Sequence, residues 1–293
     1  MYDMLGRLRN VKHLTQVDPA NEERNDEKLV RLVAESGTDG IIFAGTDDVN
    51  AKNLEETLEK FNEVDLVKIV APSSPEMVPV ELCKKILFSS QPLADWICPY
   101  VPYNAKDAKY ITQLQKAWFG EWLSKGESIL LDRIRELPYL IVSHHGTVVK
   151  KVPVDEDFSV KNIASYAAVA MMRGSLCAYA GDRRMCSPPW LYLETTGYDK
   201  SLTGVEPVEY VKACREVANK LGFRVYIISG GEIRNAEEAR KRIEEGADAV
   251  NVGNRLYEED RAEGYKAYLS TIRGAKPYIS LRQHEKLLAS LDL

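Results

Sequence analysis

The sequence predicts a single TIM-like (β/α)8 barrel, an α/β fold, and three observations carry that reading. Short apolar, β-branched runs recur eight times along the 293 residues. Stretches with helical spacing separate most of them. The runs themselves are nearly all apolar, as expected of parallel strands covered by helices on one side and by packed side chains on the other. Length alone fits two domains of about 150 residues or one barrel of about 250, so periodicity decides.

The first strand, residues 11–17, ends in Asp18-Pro19 without a Gly-rich turn, which argues against a doubly wound dinucleotide-binding sheet. Helix one, residues 26–36, places Leu29, Val30, Leu32 and Val33 on one face. Strand two, 40–45, is followed by helix 53–61, with Leu54, Leu58 and Phe61 aligned. After strand three, 67–71, come Pro72, Pro75 and Pro79, so the third helix is expected to be short or irregular. Strand four, 94–100, leads into a long connection, 99–138, where Trp118, Phe119 and Trp122 share helical spacing. That stripe reads as core or subunit contact, with the wall of an apolar ligand channel as the second reading. Strand five, 139–143, precedes helix 160–172 and a loop, 173–189, holding Arg183 and Arg184.

Strand six, 190–194, and helix 208–221 follow, then strand seven, 224–229, and helix 235–245. In that last helix Glu237 and Glu238 sit in the first turn and Arg240-Lys241-Arg242 towards the end, matching the helix dipole. Strand eight, 249–253, and a helix over 259–272 complete the barrel domain, read as residues 1–275. A tail, 276–293, carries Leu281, Leu287, Leu288 and Leu291, placed to dock on the barrel or on a second subunit of a homo-oligomer.

Composition narrows the function classes. With 45% apolar and 28% charged residues the chain is neither disordered nor fibrous, and a net charge of −5 spread along its length excludes the basic footprint of a duplex-binding protein. Five scattered cysteines without a C-x-x-C pair read as reduced thiols. The first residues form no apolar signal region and no run approaches the roughly 18 apolar residues of a membrane span, so a cytoplasmic protein is expected.

In a barrel of this kind chemistry sits at the C-terminal ends of the strands. Those ends read Asp18; Gly45-Thr46-Asp47-Asp48; His144-His145; Tyr192, Glu194, Thr195, Thr196 and Gly197; Gly230-Gly231; and Gly253-Asn254. The glycine turns after strands seven and eight let backbone N–H groups approach an anion, with Asn235 capping the next helix, which points to a phosphate site. Asp18 reads as a Mg²⁺ ligand or as a turn cap. Glu194 shares a strand face with Tyr192, so a carboxylate aimed into the mouth would act as general base while Tyr192 positions the same substrate. A structural carboxylate paired with an arginine is the alternative. Adjacent His144 and His145 point to opposite sides and make no metal pair. No lysine stands at the end of strand six for Schiff-base chemistry.

These residues carry a resemblance. His13-Leu14-Thr15-Gln16-Val17-Asp18-Pro19, Ser36-Gly37-Thr38-Asp39-Gly40-Ile41-Ile42-Phe43-Ala44-Gly45-Thr46, Tyr192-Leu193-Glu194-Thr195-Thr196-Gly197, Gly230-Gly231-Glu232-Ile233-Arg234 and Val252-Gly253-Asn254 resemble the geranylgeranylglyceryl and heptaprenylglyceryl phosphate synthase family, in family order. The resemblance implies a TIM-like barrel whose third helix is often irregular. It implies Mg²⁺-dependent alkylation of the 3-hydroxyl of sn-glycerol 1-phosphate by a polyprenyl diphosphate, such as the geranylgeranyl one, with release of pyrophosphate. Asp18 and Thr46 then match the Mg²⁺ and diphosphate positions. Tyr192, Glu194, Gly197, Gly230, Gly231, Gly253 and Asn254 match the glycerol phosphate site, with Glu194 as base. A lipid product implies transient contact with a membrane surface.

Three positions depart from the family pattern. Gln16 stands where relatives often carry lysine, Ala44-Gly45 replaces a Gly-Gly pair, and Glu232 replaces the third glycine of the phosphate loop. A carboxylate at 232 repels a phosphate unless it turns outward, and Arg234, Arg183, Arg184 and Lys12 are the cations available to offset it. Other readings of the same residues are a different phosphorylated three-carbon acceptor such as 3-phosphoglycerate, a phosphate-binding isomerase or lyase using Asp18 and Glu194, and a ligand-binding protein without turnover.

Overall fold

Nine parallel strands form one curled sheet in the order β4-β3-β2-β1-β9-β8-β7-β6-β5. They are β1 (His13–Val17), β2 (Gly40–Phe43), β3 (Val67–Val70), β4 (Trp96–Ile97), β5 (Tyr100–Pro102), β6 (Leu137–Ile141), β7 (Trp190–Glu194), β8 (Tyr226–Gly230) and β9 (Ala249–Val252). The computed structural model describes residues 10–45, 47–107, 110, 120, 124, 133–134, 136–145, 147–179, 190–222 and 224–292. Trp118, Phe119, Trp122, Arg183, Arg184 and Thr46 lie outside the described residues.

The two edge strands are consecutive in the chain. Cys98 N donates to the Val70 carbonyl at 2.7 Å and Leu137 N to the Pro99 carbonyl at 2.9 Å, so the two-residue link ties both edges and closes the ring. The single strand expected over 94–100 is thus divided in two. Pro99, between the two, has no N–H to donate to a ladder.

Ten α-helices are seen among the described residues, and most match the apolar spacing. Helix α1 (Glu27–Glu35) is capped by Asp26, whose side chain accepts from Leu29 N. Helix α2 (Ala51–Lys60) begins in a reciprocal capping box between Asn50 and Asn53. The proline cluster shapes only the approach to the third helix. Pro75–Met77 forms a 3-10 turn, and α3 (Val80–Phe88) is then a regular nine-residue helix, because Pro79 sits before its first turn, where no N–H is needed. Next come α4 (Thr147–Lys151) and α5 (Val160–Tyr179), which runs past the expected end at 172. The remaining helices are α6 (Lys200–Thr203), α7 (Pro207–Leu221), α8 (Ala236–Glu244), α9 (Arg261–Ala275) and α10 (Leu281–Ser290). No helix among the described residues is long and apolar enough to cross a membrane.

The tail docks on the barrel. Leu287 and Leu291 are buried in the same cluster as Leu29, Leu32 and Tyr268, while Leu281 is exposed. Polar contacts under the barrel hold it there: Lys276 Nζ donates to the Gly37 carbonyl at 2.7 Å and pairs with the Asp39 carboxylate. Arg273 donates to His284 Nδ1 at 2.8 Å, which leaves the His284 Nε2 proton for the Ser36 carbonyl, also at 2.8 Å. His13 in β1 is fully buried between the hydroxyls of Thr38 at 2.9 Å and Thr271 at 3.1 Å.

Burial first, then the Lys276 charge, pushes the His13 imidazole down from 6.5 to about 3, and burial lowers His284 as well. Below pH 6.5 the unfolded chain therefore takes up protons that the folded chain refuses, so stability is intact above that pH and lost as the pH falls. Urea unfolding at pH 5 is expected to show on the order of 2 kcal/mol less stability from His13 alone than at pH 7.5. His13→Asn should flatten that slope; an unchanged slope would show that His13 is protonated in the fold.

Candidate active site

The C-terminal ends of the strands open into a cavity of about 700 Å³. The parity expected for β7 holds: Tyr192 and Glu194 both face it, and both are buried. Glu194 is held by three donors. Its Oε1 accepts from Thr196 N at 2.7 Å and from Thr196 Oγ1 at 2.5 Å, and its Oε2 accepts from the Tyr139 hydroxyl at 3.2 Å. Among the described residues no lysine or arginine forms an ion pair with it.

Two further tyrosines surround this carboxylate. The rings of Tyr100 and Tyr139 lie 4.6 Å apart, those of Tyr139 and Tyr192 5.2 Å, and those of Tyr100 and Tyr192 5.9 Å. Burial, reinforced by the Glu194 charge, pushes all three phenols well above their usual range, so they act as hydrogen-bond partners and not as bases. The Tyr192 hydroxyl accepts from Asn251 Nδ2 at 2.6 Å, and the same amide donates to Gln16 Oε1 at 2.8 Å. Asn251 Oδ1 is buried without a donor among the described residues.

The β7–β8 register makes this arrangement sterically feasible. Glu194 pairs with Gly230 across the ladder, and a Cβ at Gly230 would come within 2.0 Å of the Tyr192 hydroxyl. Gly231, at φ +78, would place a Cβ 2.4 Å from Glu194 Oε1. Gly231, Gly253 and Asn254 line the cavity as expected, but Gly230 and Gly197 stand one layer back. Gly230 contributes space for Tyr192, and Gly197 packs against the His145 carbonyl. Neither histidine is on the wall; His144 Nδ1 accepts from Asp199 N at 3.0 Å.

Asp18 is also set back, behind Gly45, where a Cβ would lie 2.3 Å from its Oδ1. Ala20 N donates to that oxygen at 3.0 Å, so the turn-capping role is real. Burial, then the charges of Asp47 and Asp48, nevertheless raises the Asp18 pKa. Among the described residues no three His, Cys, Asp or Glu side chains converge on a metal position. A Mg²⁺ held by one or two carboxylates, with phosphate oxygens and water completing the shell, needs no such cage, and the Asp18 carboxylate would supply the hard oxygen such an ion takes.

Several site residues were not legible in the sequence. Arg242, which spacing assigned to the helix dipole, is buried and donates to Ser229 Oγ at 2.7 Å and Thr195 Oγ1 at 3.2 Å. Burial pushes its guanidinium down to about 10. Thr195 Oγ1 in turn donates to the carbonyls of Gly230 and Gly231, both at 3.0 Å, so Arg242 braces the glycine turn after β8 through Thr195. Lys151 reaches the cavity rim and pairs with Asp47 at 2.5 Å. Asn235 caps α8 as expected, through Glu238 N at 3.0 Å. Glu232 does not turn outward; it faces the cavity and pairs with Arg234.

Set beside known proteins, residues 6–272 match the family model described as the PcrB family. The chain belongs to the PcrB family. Within this PcrB family, a geranylgeranylglyceryl phosphate synthase of Methanoculleus marisnigri is 26% identical over 264 residues, 90% of this chain and 96% of that protein. A heptaprenylglyceryl phosphate synthase of Bacillus subtilis is 28% identical over 253 residues, 86% of this chain and 92% of that protein. The fold matches the crystal structure of (S)-3-O-geranylgeranylglyceryl phosphate synthase from Thermoplasma acidophilum in complex with sn-glycerol-1-phosphate. That match has a TM-score of 0.66 at 22% identity, over 94% of this chain and 97% of the other.

Gly230→Ala is expected to destabilise this PcrB protein by about 1–3 kcal/mol through overpacking against Tyr192. A lowered urea midpoint at unchanged m-value is the readout. An unchanged midpoint would mean that Tyr192 has another place to go.

Proposed function

We propose that this chain transfers a polyprenyl group from its diphosphate to the 3-hydroxyl of sn-glycerol 1-phosphate, making an ether and releasing pyrophosphate. It is a prenyltransferase of the PcrB family, and the relatives named above are prenylglyceryl phosphate synthases. The observation that carries the reading is the pairing, in one cavity, of the Glu194 carboxylate with the donor-less Asn251 Oδ1. Two acceptors on the wall of one cavity suit a polyol: one takes the proton of the reacting hydroxyl, the other fixes a neighbouring hydroxyl.

The rest of the wall fits the two substrates. Val49, Met77, Val148 and Val152 supply an apolar side for a prenyl chain. Gly231, Gly253 and Asn254 present backbone to the acceptor phosphate. In the reaction the allylic C1–O bond to diphosphate breaks, the acceptor oxygen bonds to C1, and the hydroxyl proton passes to Glu194. Thr196 and Tyr139 hold Glu194 in line, while Tyr192, bonded to Asn251, shapes the acceptor pocket. Mg²⁺ bound by Asp18 and Thr46 would neutralise the charge building on the leaving diphosphate. The family resemblance supports that pair, and the carboxylate oxygen of Asp18 is the kind of donor Mg²⁺ takes.

Mass spectrometry of the purified chain with Mg²⁺, glycerol 1-phosphate and C15 to C35 prenyl diphosphates tests the reading. A chelator-sensitive ether is expected, its mass reporting the chain length; no ether with any donor would sink the proposal. Glu194→Gln should lower turnover by about 10²–10⁴ with the fold intact. Asp18→Asn should abolish product, and full turnover in that variant would remove Asp18 from the metal site.

A further inference from the structure

The phosphate loop after β8 carries an anion of its own. Glu232 has φ +51, in the left-handed region that non-glycine residues seldom adopt, directly after Gly231 at φ +78. This backbone turns the side chain back across the mouth towards β7. Its Oε1 accepts from Gly197 N at 3.1 Å, and its Oε2 accepts from Arg234 Nε at 3.1 Å and also from Nη2. Both side chains line the cavity. A backbone N–H of the kind a phosphate oxygen would take is therefore already occupied by a carboxylate. The nearby guanidinium is neutralised by the same group.

The other cations on the wall are also engaged, Lys151 with Asp47 and Arg255 with Glu258. Arg234 differs in how loosely it is held. Its side chain is 61% exposed, and ion pairs so open to water contribute little. A guanidinium with five donors can therefore turn from a carboxylate to a phosphate at small cost.

We propose that Glu232 is an internal competitor for the acceptor's anionic group, and that Arg234 passes from Glu232 to the incoming phosphate as the carboxylate leaves Gly197 N–H. The pair sets selectivity: a phosphomonoester of a neutral polyol displaces the carboxylate, whereas an acceptor bearing a second carboxylate meets the Glu232 charge and is rejected. This rests on the acceptor-site reading given above.

Isothermal titration of the full chain with inorganic phosphate, and separately with glycerol 1-phosphate, tests the proposal without needing turnover. Glu232→Gln keeps the backbone strain and removes the charge, and should bind phosphate about tenfold more tightly. Glu232→Gly should do at least as well, and Arg234→Gln should weaken binding by a similar factor. In the transfer assay the acceptor KM should fall in Glu232→Gln while the prenyl diphosphate KM stays. Phosphate binding unchanged or weakened in Glu232→Gln overturns the proposal even where ether is formed. Tightened phosphate binding in a chain that makes no ether supports it and removes the prenyltransferase reading instead.

Discussion

The close approach of β8 to the end of β7 is the constraint on which the barrel mouth depends. Only glycine at 230 leaves room for the Tyr192 hydroxyl, and only glycine at 231 leaves room for Glu194 and the Thr196 amide. With those two Cβ atoms absent, a tyrosine and a carboxylate pack into a closed ladder without pushing the strands apart. Everything else at the site then has a surface to lean on: the tyrosine trio, the Asn251–Gln16 amide pair and the loop carrying Glu232.

Electrostatically the mouth is built from opposed pairs. Glu194 sits among phenols and a threonine, which hold its position by hydrogen bonds without cancelling its charge. Arg242 lies beneath the glycine turn after β8, a buried cation that donates to the hydroxyls of Ser229 and Thr195. Each cation on the wall itself has a carboxylate partner.

The opposite end of the barrel has a different purpose. His13, Thr15, Thr38, Thr271 and Tyr268 form a buried polar cluster under the strands, and Lys276 with Asp39 ties the last helices to it. Its histidines stay neutral because burial disfavours the charged form. Stability and chemistry thus occupy opposite faces, as the barrel geometry allows.

The barrel, the order of its elements, and Tyr192 and Glu194 as one inward face were legible in the residues alone, because strand periodicity and apolar runs are local properties that backbone geometry translates directly. It also marked the glycine turns, and Glu232 as an anomaly among them. The folded chain was needed to show which strands bring Tyr100, Tyr139 and Asn251 to that face, that Arg242 turns inward and not to solvent, and that Glu232 reaches Gly197. It also moved Asp18, Gly197 and Gly230 one layer behind the wall. Those facts depend on register between strands far apart in the chain and on the path of individual side chains. Pro99 shows the boundary: its missing N–H is written in the sequence, but that the break beside it is also the seam of the barrel emerges only when β4 and β5 meet their separate partners.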